Sequence, residues 1–178
     1  MISVVKQTDV TDCGVACAES VLSHFNINQN LASIKRLHPF KIGYYSFNDL
    51  SQIFDKYNLE AIGYFSDFES LMNIKNPIIA HIKLMGFLPH FVVIETLNND
   101  EVTYMDPNQG KILKISRKRF LNIWTGKILV VQSKNMTSNF RMNTPRGVSS
   151  YLLNKRSALF FFLLFLAVIW IGLKIIFI

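Results

Sequence analysis

The chain has 178 residues, half of them hydrophobic, a formal net charge of +7 and only two cysteines. This length allows one domain with a full core, and two cysteines exclude a disulfide-stabilised scaffold and favour a reducing compartment. Residues 141–178 contain five basic residues and no acidic residue, so most of the positive charge lies there. A basic excess beside an apolar segment indicates a membrane surface and argues against a nucleic-acid partner.

The first half of the sequence predicts mainly helices. Residues 13–25 form a proline-free, helix-compatible stretch, and Thr11 or Asp12 is placed to cap its start. Residues 47–57 have apolar side chains at helical spacing, with Ser46 as a cap. Shorter helices are predicted at residues 31–37 and 67–72, and short strands at residues 1–6 and 59–64.

The second half predicts an antiparallel sheet. Short runs of apolar and β-branched residues alternate with turn residues, such as the Asn98-Asn99-Asp100 turn. Strands are predicted at residues Ile78–Leu84, 91–96, 101–105, 111–115 and 127–132, with a short basic helix at 116–123. Helices followed by an antiparallel sheet are typical of the α+β fold class.

The C-terminal segment predicts a membrane crossing. Residues 158–178 contain a single charged residue, Lys174, and about 20 apolar residues are enough to span a bilayer. Basic residues precede this segment, which by the positive-inside rule places the N-terminal domain in the cytoplasm. We therefore divide the chain into a domain at residues 1–132, a polar basic linker at 133–156 and a transmembrane helix at 157–178.

Cys13 is the candidate nucleophile. It lies in the first turn of the first predicted helix, where unpaired N–H groups and the positive end of the helix dipole favour thiolate over thiol. Taken alone, a cysteine in this setting is more often a buried structural thiol. Cys17, one helical turn later, is expected to pack in the core, because His24 does not complete a usual zinc-binding spacing. No metal site is predicted.

A nucleophile needs a base, and the base needs an orienting group. His90 begins an apolar strand-like run, and Asp106 opens the turn after the next strand. Adjacent antiparallel strands would bring the two side by side, so that Asp106 holds one imidazole nitrogen and the other deprotonates Cys13. Gln7 could donate its amide N–H to a developing oxyanion. Taken alone, Asp106 could equally be a turn former, and His81 is expected to be a structural histidine.

Four motifs in order carry a resemblance to one known family: Gln7, Asp12-Cys13-Gly14, His90-Phe91-Val92-Val93 and Asp106-Pro107. Over residues 4–131 the chain resembles the C39 peptidases, papain-like cysteine proteases fused to bacterial ABC exporters of bacteriocins and related peptides. The resemblance implies a papain-like fold, with the cysteine on the leading helix and the histidine on the sheet. By position it implies that Cys13 is the nucleophile, His90 the general base, Asp106 the orienting acid and Gln7 the oxyanion donor.

The resemblance also implies a function. C39 peptidases cut leader peptides directly after a Gly-Gly type pair at the cytoplasmic face of the bacterial inner membrane, and the exporter then moves the cargo outward. The expected partners are a leader peptide, the lipid bilayer, and the membrane and ATPase domains of an exporter. We expect no cofactor in this chain. ATP is expected as a cofactor only if the chain belongs to a larger exporter, because this sequence has no Gly-x-x-x-x-Gly-Lys-Ser/Thr phosphate loop.

Three other functions are compatible with the sequence. A relative of this fold can hold cargo for export without cutting it, although such binding modules typically lack the cysteine. The C-terminal helix could make the chain mainly a membrane-assembly subunit of a peptide exporter. The same triad could also transfer an acyl group to an acceptor other than water.

Overall fold

The computed structural model describes residues 2–37, 43–134 and 149–150. Within these residues three helices come first, as predicted, and two more lie among the strands that follow. The elements are α1 (Cys13–His24), α2 (Leu31–Lys35), α3 (Phe47–Asp55), β1 (Leu59–Phe65), α4 (Phe68–Leu71), β2 (Ile78–Leu84), β3 (Leu88–Leu97), β4 (Glu101–Asp106), β5 (Lys111–Ser116), α5 (Arg117–Ile123), β6 (Trp124–Ser133) and β7 (Ser149–Ser150).

The strands form one antiparallel sheet in the order β5-β4-β3-β2-β6-β1-β7. This arrangement confirms the predicted α+β class with an antiparallel sheet. Strand β3 lies between β2 and β4, with Ile82 opposite His90 on one side and Met105 opposite Val93 on the other. The start of β3 and the end of β4 therefore lie next to each other, and these are the positions of His90 and Asp106.

The core fills both faces of the central strands. In β3, Phe91 and Val93 belong to the cluster formed with α1 and α3, whereas Val92 and Ile94 belong to the cluster formed with α4 and α5. Because both faces are buried, this strand reads as a continuous apolar run instead of an alternating one. Helix α1 packs against β3, which brings the N-terminal end of the helix to the sheet.

The predicted strand at residues 1–6 is wrong for the part of it that the structure describes. Residues 2–6 are not in a strand; they run beside α1, where the Ser20 hydroxyl donates a hydrogen bond of 2.6 Å to the Ser3 carbonyl. A serine inside α1 thus satisfies a backbone group that a sheet edge would otherwise have paired.

The connection between β2 and β3 is tighter than predicted. The strands pair as far as Leu84 and Leu88, which leaves a turn centred on Met85 and Gly86, with φ values of 51° and 81°. Two consecutive residues with positive φ are typical of the tight type I′ turn of hairpins, and the Phe87 backbone N–H closes this turn on the Leu84 carbonyl. As a result Pro89 lies inside β3 instead of before it.

The membrane prediction concerns residues outside the described part of the chain. Among the described residues, no helix has the length and apolar character needed to cross a bilayer. The predicted transmembrane helix at 157–178 lies entirely outside these residues, as does most of the predicted linker at 133–156. Both stay predictions from the sequence.

Candidate active site

Cys13 is the first residue of α1, and its side chain is almost completely buried. The thiol is free, not paired in a disulfide. The next residue is Gly14, where an added Cβ atom would lie 3.0 Å from the Cβ atom of Tyr45 and 3.3 Å from the ring of Phe91. The absence of a side chain at Gly14 therefore lets the start of α1 approach β3 and the segment before α3 closely.

His90 connects the cysteine to the sheet. It is buried in β3, and its side chain interacts with that of Cys13. Its Nε2 atom lies 2.8 Å from Oδ1 of Asp106, so Nδ1 is the ring nitrogen left for Cys13. Burial by itself would lower the pKa of His90, but the interactions with Asp106 and Cys13 outweigh burial and raise the pKa to about 9.

Asp106 both orients His90 and forms a turn. Its Oδ1 atom also accepts a hydrogen bond of 2.9 Å from the Asn108 backbone N–H, and its Oδ2 atom accepts one of 3.2 Å from Nε2 of Gln109. Burial raises the pKa of Asp106, but the hydrogen bond to His90 and the other donors more than compensate, so the pKa lies below its ordinary value of 3.8. The carboxylate is therefore ionised and fixed in place. The contact from Gln109 was not foreseen from the sequence.

Gln7 lies beside the same turn. Its backbone N–H donates a hydrogen bond of 3.0 Å to the carbonyl of Pro107, the residue after Asp106. Among the described residues, Oε1 of Gln7 is the buried side-chain polar atom without a hydrogen-bond partner. Native proteins rarely leave such an atom unpaired without a functional reason. Rotation of the terminal carboxamide exchanges Oε1 with Nε2 and would present an N–H donor in its place.

The arrangement supports nucleophilic chemistry. A protonated His90, held between Asp106 and Cys13, places a positive charge next to the sulfur, and the start of α1 adds the positive end of a helix dipole. Both effects stabilise a thiolate. The site therefore places a candidate sulfur nucleophile beside a protonated imidazole that is held by a carboxylate, the arrangement used for attack on carbonyl carbons.

Asp12 occupies the N-cap position of α1, but the prediction that it caps the helix is wrong. Its side chain makes no cap hydrogen bond. It accepts one of 2.6 Å from Oγ1 of Thr8 and two, of 2.9 and 3.0 Å, from Nζ of Lys35. The donors to the Asp12 carboxylate are therefore the Thr8 hydroxyl and the Lys35 ammonium, and not the N–H groups of the helix. The role of Lys35 could not be predicted from the sequence, because its contact joins residues 23 positions apart and depends on the fold.

Cys17 is a buried structural thiol, as predicted. It is fully buried in the core cluster around α1. Burial raises its pKa well above the ordinary value of 9.0, and the nearby Cys13 and Asp106 raise it further. The described residues contain no group of three or more histidine, cysteine or acidic side chains that could hold a metal ion.

Two of the remaining histidines, His24 and His81, lie outside the site. Nδ1 of His81 lies 2.9 Å from Oγ1 of Thr125, whose hydroxyl donates to the His81 carbonyl. Because that hydroxyl has only one proton, Nδ1 is the donor in the first contact, and His81 is a satisfied structural histidine as expected. His24 is exposed at the end of α1, and His38 lies outside the described residues.

Comparisons with known proteins agree with this architecture. The model of the peptidase C39 family matches residues 1–136. The chain is 29% identical over 136 residues to the lactococcin-G-processing and transport ATP-binding protein LagD of Lactococcus lactis subsp. lactis, a match covering 75% of this chain and 19% of LagD. It is 31% identical over 135 residues to the sublancin-168-processing and transport ATP-binding protein SunT of Bacillus subtilis, covering 74% of this chain and 19% of SunT. The chain thus spans about a fifth of the length of these curated relatives.

Two solved structures have a similar fold. The peptidase domain of Streptococcus ComA, a bifunctional ABC transporter involved in quorum sensing, superposes with a TM-score of 0.68 at 24% identity, over 75% of this chain and 99% of that domain. A double glycine motif protease from an AMS/PCAT transporter, solved in complex with a leader peptide, superposes with a TM-score of 0.65 at 25% identity, over 75% of this chain and 92% of that one.

Proposed function

The chain belongs to the peptidase C39 family, and we propose that its domain is a cysteine endopeptidase that cuts leader peptides after a Gly-Gly type pair. The observation that carries this proposal is the series Cys13–His90–Asp106, buried where α1 meets the sheet, in which His90 interacts with Cys13 and is hydrogen-bonded to Asp106. A solved relative that is a double glycine motif protease with a bound leader peptide supports the substrate class.

In the proposed reaction the Cys13 sulfur attacks the carbonyl carbon of the second glycine. The resulting oxyanion is held by the backbone N–H of Cys13 and by the side-chain amide of Gln7. The tetrahedral intermediate collapses to a thioester as the C–N bond breaks, and His90 gives its proton to the leaving amine. His90 then takes a proton from water as the water oxygen attacks the thioester carbonyl, the C–S bond breaks, and the leader leaves with a C-terminal carboxyl group while the sulfur of Cys13 is set free. Asp106 holds the imidazole in position throughout.

The wider setting is also a proposal. Relatives that are processing and transport ATP-binding proteins support a domain that acts beside the membrane and ATPase parts of a peptide exporter. The apolar sequence of residues 158–178 supports an anchor in the cytoplasmic membrane, with the peptidase domain on the cytoplasmic side. In this setting the substrate is a precursor of a bacteriocin or of a related exported peptide.

The test uses the full chain in detergent micelles or nanodiscs and a synthetic precursor with a Gly-Gly pair before a short cargo. Mass spectrometry of the products should show a single cut after the second glycine. A precursor with the pair changed to Val-Val is the matched substrate control, and Cys13→Ala is the matched enzyme control. We expect Cys13→Ala to bind the leader as tightly as the wild type, because the thiol is not needed for recognition.

Other outcomes would favour other functions. Saturable leader binding without a cut in the wild type would favour a cargo-binding module. A cut at the expected bond with cargo attached to a nucleophile other than water would favour acyl transfer. Loss of leader binding in Cys13→Ala would mean that Cys13 has a structural role.

A further inference from the structure

The Asp12 carboxylate is nearly inaccessible, with a relative exposure of 1%, yet it is not used for the helix that it precedes. Its partners are the Thr8 hydroxyl, 2.6 Å from Oδ2, and the Lys35 ammonium, 2.9 and 3.0 Å from Oδ1 and Oδ2. Burying a carboxylate costs desolvation free energy unless the group is paired and hydrogen-bonded. Here each carboxylate oxygen has a charged partner, so the group is kept in place by contacts with two other segments.

The positions of these partners in the chain relate the contact to the active site. Thr8 directly follows Gln7, and Asp12 directly precedes Cys13. The Thr8–Asp12 hydrogen bond therefore closes a short loop that has the candidate oxyanion donor at one end and the candidate nucleophile at the other. Inside this loop the backbone N–H of Asp12 donates to the Asp9 carbonyl at 3.1 Å, which makes the loop a compact turn.

Lys35 adds a counter-charge from a different element. It is the last residue of α2 and partly exposed, with 43% of its side chain accessible. Its ammonium supplies the counter-charge for a carboxylate that is buried in the residue before Cys13. Pairing with Lys35 thus offsets the cost of burying the carboxylate that accepts the hydrogen bond from Thr8.

We propose that Asp12 is a positioning residue that keeps the Gln7 amide at a fixed distance from the Cys13 sulfur. Lys35 is the charge partner of Asp12. This inference rests on the proposed peptidase function. Asp12 acts on the reaction through Gln7 and Cys13 and does not touch the substrate. The contact fixes the distance between nucleophile and oxyanion donor, and small errors in such distances slow catalysis strongly.

The first test is a double-mutant cycle on the full chain with the Gly-Gly precursor. Thr8→Val removes the hydroxyl at nearly constant volume and should lower kcat by about tenfold to a hundredfold, leaving KM unchanged. In a Gln7→Ala background the same change should add almost nothing, because the group that Thr8 positions is absent. Thr11→Val, the same chemical change in the same loop, is the matched control and should leave kcat unchanged.

The second test separates positioning from the chemistry of the sulfur. Alkylation of Cys13 by iodoacetamide needs a thiolate but no oxyanion donor, so Thr8→Val should leave its rate unchanged. Lys35→Gln leaves the buried Asp12 carboxylate without its counter-charge and should slow cleavage, and Lys35→Arg should restore it. Arg36→Gln removes the same charge from the neighbouring residue, whose side chain contacts Ser33, and should have no effect.

Equal losses from Thr8→Val in the wild-type and Gln7→Ala backgrounds would overturn the positioning role. Equal cleavage rates in Lys35→Gln and the wild type would overturn the role of Lys35 as the charge partner of Asp12. If the wild type alkylates readily but does not cut any Gly-Gly precursor, the proposed function fails instead. Thermal unfolding of each variant shows whether a loss of kcat is only a loss of folded protein, which would also count against positioning.

Discussion

Nε2 of His90 and Oδ1 of Asp106 lie 2.8 Å apart, on adjacent antiparallel strands. This contact gives His90 a negatively charged partner on the side away from Cys13. Together with the interaction with Cys13 it raises the pKa of His90 to about 9, against an ordinary value of 6.5 and against the effect of burial. The fold therefore favours the protonated imidazole. The contribution of protonated His90 to the free energy of unfolding is complete below pH 6.5 and is lost as the pH rises through about 9.

The pH dependence of cleavage should reflect this pair. In the wild type kcat/KM should fall on the alkaline side near pH 9, where His90 loses its proton. Asp106→Asn removes the charge but keeps the shape, so it should move this alkaline limb to lower pH and reduce the maximal kcat/KM by about 100-fold. Asp100→Asn, an exposed residue in the turn between β3 and β4, is the control. An alkaline limb that stays in place in Asp106→Asn would contradict the assignment of the limb to His90.

Gln7 should affect the transition state and not substrate binding. Gln7→Ala should lower kcat by about 10²–10³-fold with little change in KM, as expected for loss of one oxyanion donor. The rate of Cys13 alkylation should not change, since that reaction forms no oxyanion. Gln52→Ala, an exposed glutamine on α3, serves as the control. A rise in KM at constant kcat would instead assign Gln7 to binding of the ground state.

Much of the fold was accessible from the sequence because the signals were local. The apolar spacing in α3 and the capping box of Ser46 and Asp49 fix that helix. The apolar run after His90 and the turn at Asn98 fix β3, β4 and their pairing. Since the pairing of adjacent strands follows from short turns, the His90–Asp106 contact followed from the sequence as well.

What the sequence did not reveal depends on contacts between distant segments. The pairing of Asp12 with Lys35 joins the start of α1 to the end of α2, and no spacing rule connects those positions. The Asp residue before a helix predicts a cap, but a buried site with a lysine and a threonine nearby offers the carboxylate stronger partners. The hydrogen bond from Gln109 to Asp106 likewise appears only when the turn is folded.

The two cysteines should differ sharply in reactivity. Iodoacetamide at neutral pH should modify Cys13 and leave Cys17 unmodified, because burial holds the pKa of Cys17 well above 9.0 and its side chain has no exposed surface. Peptide mapping by mass spectrometry measures both sites in one sample. Cys17→Ala should keep the cleavage activity, whereas Cys13→Ala should lose about 10⁴-fold or more. Equal modification of both thiols in the folded protein would contradict the proposed difference.

Gly14 should be needed for the packing beside the nucleophile. In Gly14→Ala the new methyl group would lie 3.0 Å from the Cβ atom of Tyr45, closer than Cβ contacts normally come, so α1 or its neighbours must shift. We expect a loss of about 1–3 kcal/mol in the free energy of unfolding, measured by urea titration, and a fall in kcat as Cys13 moves. Gly63→Ala is the matched control, since its nearest atom would be 3.7 Å away and its methyl group fits. If Gly14→Ala were as stable and as active as Gly63→Ala, close packing at the start of α1 would not be what positions Cys13.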